Sequence, residues 1–61
     1  MKTESRLNYY ILFDERFYLY MYGTLSFAKD KAVWAMGEYN FTKAEIRLKS
    51  TDETITTLER N

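Results

Sequence analysis

The fold is decided by residues 7–23, which run LNYYILFDERFYLYMYG. Tyr, Phe, Ile and Leu dominate this stretch, and these residue types suit the pleated surface of a sheet. The charged triplet Asp14-Glu15-Arg16 interrupts the apolar run and predicts a hairpin of two strands.

The length of the hairpin loop decides which residues share a face, because directly opposed residues point the same way. A three-residue loop pairs Phe13 with Phe17. It gathers most of the aliphatic residues, together with Tyr9, on one face. The other four tyrosines of the hairpin lie on the opposite face, namely Tyr10, Tyr18, Tyr20 and Tyr22. A two-residue loop mixes the two sets, and neither loop has the Gly or Asn that hairpin turns favour. We favour the three-residue loop because it separates the two faces.

A helix is predicted after the hairpin, over residues 24–37 and about 11 residues long. Thr24 or Ser26 is placed to cap its start, and Gly37 is placed as a left-handed residue at its end. One thin stripe at helical spacing can lie close on a sheet: Leu25, Ala28, Ala32, Ala35, Met36 and Tyr39. Phe27 and Trp34 lie one heptad apart on its flank.

Residues 38–61 allow two predictions. The alternation of apolar and charged residues over 43–49 favours a second hairpin, with a turn at residues 50–53 and Leu48 opposite Ile55. The charged half of this alternation is expected to be a solvated strand face: Lys43, Glu45, Arg47 and Lys49. However, Thr42 to Glu45 form a capping box, which favours a helix from Thr42 instead. We favour the hairpin.

These elements predict one α+β domain over residues 1–61, with a ββαββ order and an antiparallel sheet that carries the helix on one face. A chain of 61 residues has room for a single domain. It contains neither Cys nor His, so a disulfide or a structural zinc site is not expected to stabilise it. Self-association or docking on a larger partner is the remaining route.

The residue types argue against catalysis, because His and Cys supply the usual general base and the best nucleophile. Two carboxylate pairs remain, Asp14 with Glu15 and Asp52 with Glu53, and both fall in predicted turns. Two isolated glycines do not make a phosphate-binding loop. We therefore expect no enzyme, no catalytic residues, no cofactor and no metal.

One helix cannot cover both faces of the first hairpin, so we expect an aromatic contact surface. The residues predicted at an interface are Tyr10, Tyr18, Tyr20, Tyr22, Phe27 and Trp34. The predicted function is a homodimer, associated through the tyrosine face or the first hairpin, that binds a larger protein, with inhibition as one outcome.

The alternative function is a single-stranded nucleic-acid binder that stacks bases on Tyr18, Tyr20 and Tyr22 beside Arg16. Nine basic residues are matched by nine acidic ones, so no basic face is expected. The same balance of charge argues against a helix-turn-helix DNA-binding domain. The uninterrupted apolar run at residues 9–13 is far too short to span a membrane. The expected location is the cytoplasm.

The chain has no family motif that we recognise. In general style it resembles the small accessory proteins of phages and mobile elements, being short, free of Pro and Cys, charge-balanced and rich in Tyr and Phe. Many such proteins act stoichiometrically by occluding a host protein, and the resemblance implies the same here.

Overall fold

Four antiparallel strands form one open sheet that carries a helix on one face, in a computed structural model that describes residues 5–60. The elements are β1 (Leu7–Phe13), β2 (Phe17–Gly23), α1 (Leu25–Tyr39), β3 (Lys43–Leu48) and β4 (Glu53–Glu59). The strand order is β2-β1-β3-β4, and every neighbouring pair is antiparallel. The predicted ββαββ arrangement is confirmed.

The helix is the connection between two parallel strands. Because β2 and β3 both pair antiparallel with β1, they run parallel to each other on either side of it. The chain must therefore travel back along the sheet between them, and parallel strands need a crossover for this. Helix α1 lies mainly over β1 and β3 and less over β2.

The core lies between α1 and the odd-numbered face of the first hairpin, a choice of face that the sequence left open. Ile11 and Ile46 are fully buried and opposite each other on β1 and β3. Small residues let the helix approach closely, and the fully buried ones are Ala28, Ala32 and Ala44. The opposite, even-numbered face carries the tyrosines and has no helix over it.

The first hairpin has the predicted three-residue loop, with Phe13 opposite Phe17. Asp14 and Glu15 have φ angles of 49° and 57°, and the Arg16 N–H donates to the Phe13 carbonyl at 2.9 Å. Two successive left-handed residues are what a type I′ turn requires. The hairpin therefore uses two residues that are less suited to this conformation than Gly or Asn.

Helix α1 is longer than predicted. Thr24 caps its start as expected, since its Oγ1 accepts from the Phe27 N–H at 3.2 Å. The prediction that Gly37 ends the helix is wrong, because the helix continues to Tyr39 and has 15 residues. Asn40 takes the left-handed position instead, with a φ of 62°, and its N–H bonds to the Met36 carbonyl. Asn is the residue after Gly that best tolerates this conformation.

The second hairpin is confirmed, and the alternative helix from Thr42 is wrong. The capping box is not used because Thr42 bonds to Asp14 and the residues after it pair with β1. The predicted pairing of Leu48 with Ile55 is also wrong, since Leu48 lies opposite Glu53. The turn consequently spans residues 49–52. A bulge at Ile55 restores the alternation, because Ile46 pairs with Thr56 and the next residue pairs with Thr54.

Candidate functional site

The even-numbered face of β2 exposes three tyrosine rings to solvent. Tyr18, Tyr20 and Tyr22 are 58%, 62% and 62% exposed, although they belong to a regular strand. Their alternation with the helix-facing residues follows from the two-residue period of a strand. We call this surface the tyrosine face, and it consists of these three residues with Tyr10 beside them on β1.

Tyr10 supports the tyrosine face from the neighbouring strand. It lies directly opposite Tyr20 and is only 8% exposed. Its ring centroid is 5.8 Å from that of Tyr18 and 5.9 Å from that of Tyr20. The rings of Tyr18 and Tyr20 lie nearly parallel, with centroids 6.4 Å apart. Among the predicted interface residues, Tyr10 thus offers little surface of its own and holds the exposed rings in place.

The hydroxyl of Tyr10 is fixed by two polar side chains from the second hairpin. It donates to Asp52 Oδ1 and accepts from Arg47 Nη1 at 3.5 Å. The hydrogen bond to Asp52 raises the pKa of Tyr10 above its ordinary value, since it favours the protonated phenol. The ring is therefore held at both ends of its side chain.

Ion pairs occupy the same face on β3. Arg47 Nη2 lies 2.9 Å from Glu45 Oε1, and Lys43 Nζ lies 3.5 Å from the other oxygen of Glu45. The hydrogen bond from Arg47 lowers the pKa of Glu45, and the same contact raises the pKa of Arg47. Glu45 and Arg47 are half-buried, so the expected fully solvated strand face is wrong for these two residues. Their charges largely compensate each other.

One cation lies directly on the tyrosine rings. Lys49 Nζ is 5.3 Å from the ring centroid of Tyr20. Lys49 was expected on the strand, but it lies in the turn that precedes β4, and this position brings it over the ring. The tyrosine face is thus aromatic, with a local positive charge at Tyr20.

Phe27 and Trp34 lie on a separate surface, on the helix side of the sheet, where they are 51% and 52% exposed. The structure does not bring them to the tyrosine face. A cleft of about 610 Å³ separates α1 from β2 here. Its apolar lining includes Phe17, Leu19, Trp34, Tyr39 and Phe41. The Trp34 ring contacts Tyr39 edge-on at 6.0 Å, and Lys31 Nζ lies 5.5 Å from the Trp34 centroid.

Two residues of this cleft belong to apolar patterns in the sequence that suggested burial without establishing it. Tyr39 belonged to the predicted helical stripe but is largely exposed, and Phe17 belonged to the apolar hairpin face but is half exposed. The cause is the position of α1, which leaves the helix side of β2 partly uncovered. The spacing of apolar residues along the sequence does not show where a helix lies across a sheet.

The carboxylate pairs have structural partners. Asp14 accepts from the N–H groups of Thr42 and Lys43 and from the Thr42 hydroxyl, and the hydroxyl contact lowers the pKa of Asp14 most. Asp52 accepts from Tyr10. Over residues 5–60, no three side chains of the kinds that bind metal ions lie together. The lowered pKa of Asp14 is the opposite of the raised pKa that a general acid needs.

Comparisons of the chain with protein-family models, curated proteins and solved structures found no match. Within the described part of the chain, no helix is long and apolar enough to cross a membrane. The fold and the site together define a small antiparallel α+β domain with an uncovered tyrosine face.

Proposed function

We propose that this protein is a non-catalytic, cytoplasmic binding module that docks its tyrosine face on a larger protein and acts by covering part of that protein's surface. The observation that carries the proposal is the exposure of Tyr18, Tyr20 and Tyr22 on a regular strand, above a Tyr10 ring that is held in place. Apolar surface of this kind, grouped on one face, is typical of contact sites.

Tyrosine suits such a contact for two physical reasons. It offers a large ring at a small cost in conformational entropy, and its hydroxyl can bond to a partner. Each exposed ring here can bury on the order of 100 Å² further, since a Tyr buries about 150–250 Å² in full. Three rings supply less than the roughly 800 Å² per partner of a standard interface, so neighbouring residues must contribute as well.

A single-stranded nucleic acid is the second candidate. The nearly parallel rings of Tyr18 and Tyr20, with Lys49 over one of them, have the geometry of a base-stacking platform. Phosphate binding also requires an excess of cations. On this face Arg47 is paired with Glu45, and the chain as a whole has no net charge. The electrostatics therefore favour a protein partner.

The experiment compares two tyrosines of equal exposure on opposite sides of the sheet. Tagged wild-type protein, Tyr20→Ser and Tyr39→Ser would each be used to capture partners from the native host, since Tyr20 is 62% and Tyr39 is 61% exposed. We expect one partner that the wild type and Tyr39→Ser retain and that Tyr20→Ser loses. Retention by Tyr20→Ser, or loss only by Tyr39→Ser, would place the contact elsewhere and overturn the proposal.

A further inference from the structure

The two outer strands of the sheet differ in how their edges are protected. Strand β4 begins at Glu53, ends at Glu59 and contains the bulge at Ile55. Charges and bulges are devices by which proteins prevent an edge from pairing with another chain. Strand β2 has seven residues, FYLYMYG, with no charge, no Pro and a regular register. Only the β4 edge carries such protection.

The backbone groups at the free edge of β2 can be assigned from the pairing of β1. The Lys49 N–H donates to the Asn8 carbonyl, and the Asp14 N–H donates to the Lys43 carbonyl, each at 3.0 Å. The backbone groups of the even-numbered residues of β1 therefore bond to β3. Those of the odd-numbered residues of β1 bond to β2. Their partners in β2 are also odd-numbered. The free N–H and C=O groups thus belong to Tyr18, Tyr20 and Tyr22.

The helix side of this edge is open as well. Because α1 lies mainly over β1 and β3, the apolar cleft between Trp34 on α1 and Phe17 on β2 opens beside the free edge. The edge therefore combines unpaired backbone groups with uncovered apolar side chains. An added strand would satisfy the first and cover the second.

We propose that a second copy of this chain occupies the edge, with β2 pairing antiparallel to β2 of the other copy about a two-fold axis at Tyr20. The two sheets then form one continuous sheet. A strand without charges meets itself without repulsion, and a closed two-fold contact leaves no β2 edge free. Leu19 lies opposite Met21 of the second copy, and Phe17 lies opposite Gly23, whose helix side is covered by Phe27.

This register also fills the clefts. Phe27 lies at the Gly23 end of β2, since a Cβ on Gly23 would be only 3.2 Å from its ring. The antiparallel arrangement brings that end of one copy to the Phe17 end of the other. Phe27 of the second copy then lies at the mouth of the cleft beside Trp34. The half-exposed aromatic residues of both copies are covered together, which raises the buried area towards that of a stable dimer.

The inference goes beyond the proposed function, because the contact uses the backbone edge and the helix side of β2. In the dimer the tyrosine side chains of both copies share one uninterrupted face. A partner protein can still dock there, on twice the aromatic area that one copy offers.

The test removes one hydrogen-bond donor without changing any side chain. A chain of 61 residues is accessible to chemical synthesis, so Tyr20 can be replaced by N-methyl-Tyr. The matched control is N-methylation of Thr57. Its N–H lies on the free edge of β4 because the even-numbered residues on either side bond to β3, as the Arg60 N–H does to the Thr42 carbonyl. Sedimentation velocity at micromolar concentration gives the oligomeric state, and circular dichroism checks the fold.

We expect the wild type and the Thr57 analogue to be dimers. The Tyr20 analogue should associate about 10- to 100-fold more weakly, because two symmetric hydrogen bonds are lost and the methyl groups prevent the strands from approaching. A monomeric wild type overturns the inference. A Tyr20 analogue that dimerises as well as the wild type, or a Thr57 analogue that dissociates, places the contact elsewhere and overturns it too.

A second measurement applies if the Tyr20 analogue does not fold. The chain has no Cys, so Tyr20→Cys and Thr57→Cys each carry one thiol. A short bismaleimide should link two copies of the Tyr20→Cys protein and leave the Thr57→Cys protein unlinked, and the reverse result contradicts the proposed register. The two proposals fail separately: loss of partner capture by Tyr20→Ser concerns the tyrosine side chains, whereas dissociation on N-methylation concerns the edge.

Discussion

The carboxylate of Asp14 bonds to Thr42, which lies 28 residues further along the chain. Asp14 Oδ1 accepts from the Thr42 hydroxyl at 2.8 Å and from its N–H at 3.1 Å. The tip of the first hairpin is thereby fixed to the start of β3. This contact also explains why the capping-box sequence at Thr42 begins a strand, since the donors that a helix start would leave free are already bonded.

Replacing Asp14 with Ala should lower the stability of the whole domain, because the N–H groups of Thr42 and Lys43 lose their acceptor. Urea unfolding followed by circular dichroism should give a lower midpoint with an unchanged slope. Glu15→Ala is the control, since it removes a neighbouring carboxylate whose ion pair with Lys43 is long, at 3.8 Å, and exposed. Equal effects of the two substitutions would contradict a specific role for Asp14.

Acid should destabilise the protein through two carboxylates. The pKa values of Asp14 and Glu45 are lowered in the folded state, by hydrogen bonds from Thr42 and Arg47 respectively. Their contribution to stability is present above the ordinary values of 3.8 and 4.5 and is lost as the pH falls through the lowered values. The urea midpoint should therefore decrease below about pH 4. An Asp14→Asn, Glu45→Gln double variant should show a flatter profile, and an equally steep one would assign the effect to other groups.

High pH should destabilise the protein through the ionisation of Tyr10. Its pKa is raised by the hydrogen bond to Asp52, so its contribution to stability is present below the ordinary value of 10.0 and is lost as the pH rises through the raised value. An ultraviolet absorbance titration should show a late component, above the ordinary value of 10.0, that belongs to Tyr10. Tyr10→Phe should remove that late component, whereas Tyr22→Phe, on the exposed strand, should leave it. A late component that survives Tyr10→Phe belongs to another ring.

Glu15→Gly should stabilise the first hairpin by roughly 0.5–1 kcal/mol. Glu15 has a φ of 57°, which costs about 1–2 kcal/mol for a residue with a Cβ, and the greater freedom of Gly in the unfolded chain offsets part of the gain. Thermal or urea unfolding measures the change. Glu15→Ala keeps the Cβ and should give little or no gain, so stabilisation by Ala as large as that by Gly would exclude the backbone explanation.

The protein should not bind single-stranded DNA or RNA more tightly than non-specific binding at physiological salt. The chain has no net charge, and Lys49 is an isolated cation among the tyrosine rings. Fluorescence anisotropy with labelled oligonucleotides across a salt titration is the measurement. Sub-micromolar affinity with a steep salt dependence would instead support the nucleic-acid alternative.

Local periodicity was enough to predict the first hairpin, its register and the tyrosine face. Phe13 and Phe17 could be paired from the sequence because only one loop length separates the apolar residues from the tyrosines. The exposure of Tyr39 and Phe17 could not be predicted, since it depends on where the helix lies across the sheet.

The predicted end of the helix and the predicted register of the second hairpin were wrong. Gly37 is the stronger left-handed residue, but Asn40 ends the helix after another turn. The bulge at Ile55 changes which residues oppose each other, and a two-residue period does not reveal it.

The pairing of β1 on both of its sides has a consequence for how the chain folds. Its pairing with β2 closes a loop of three residues, whereas its pairing with β3 joins residues as far apart as Tyr9 and Leu48. Loop closure over short separations is faster, so the first hairpin can form before β3 and the helix are available to pack against it. During synthesis the nascent hairpin therefore exposes two strand edges, and the β1 edge is open to aggregation until β3 pairs with it.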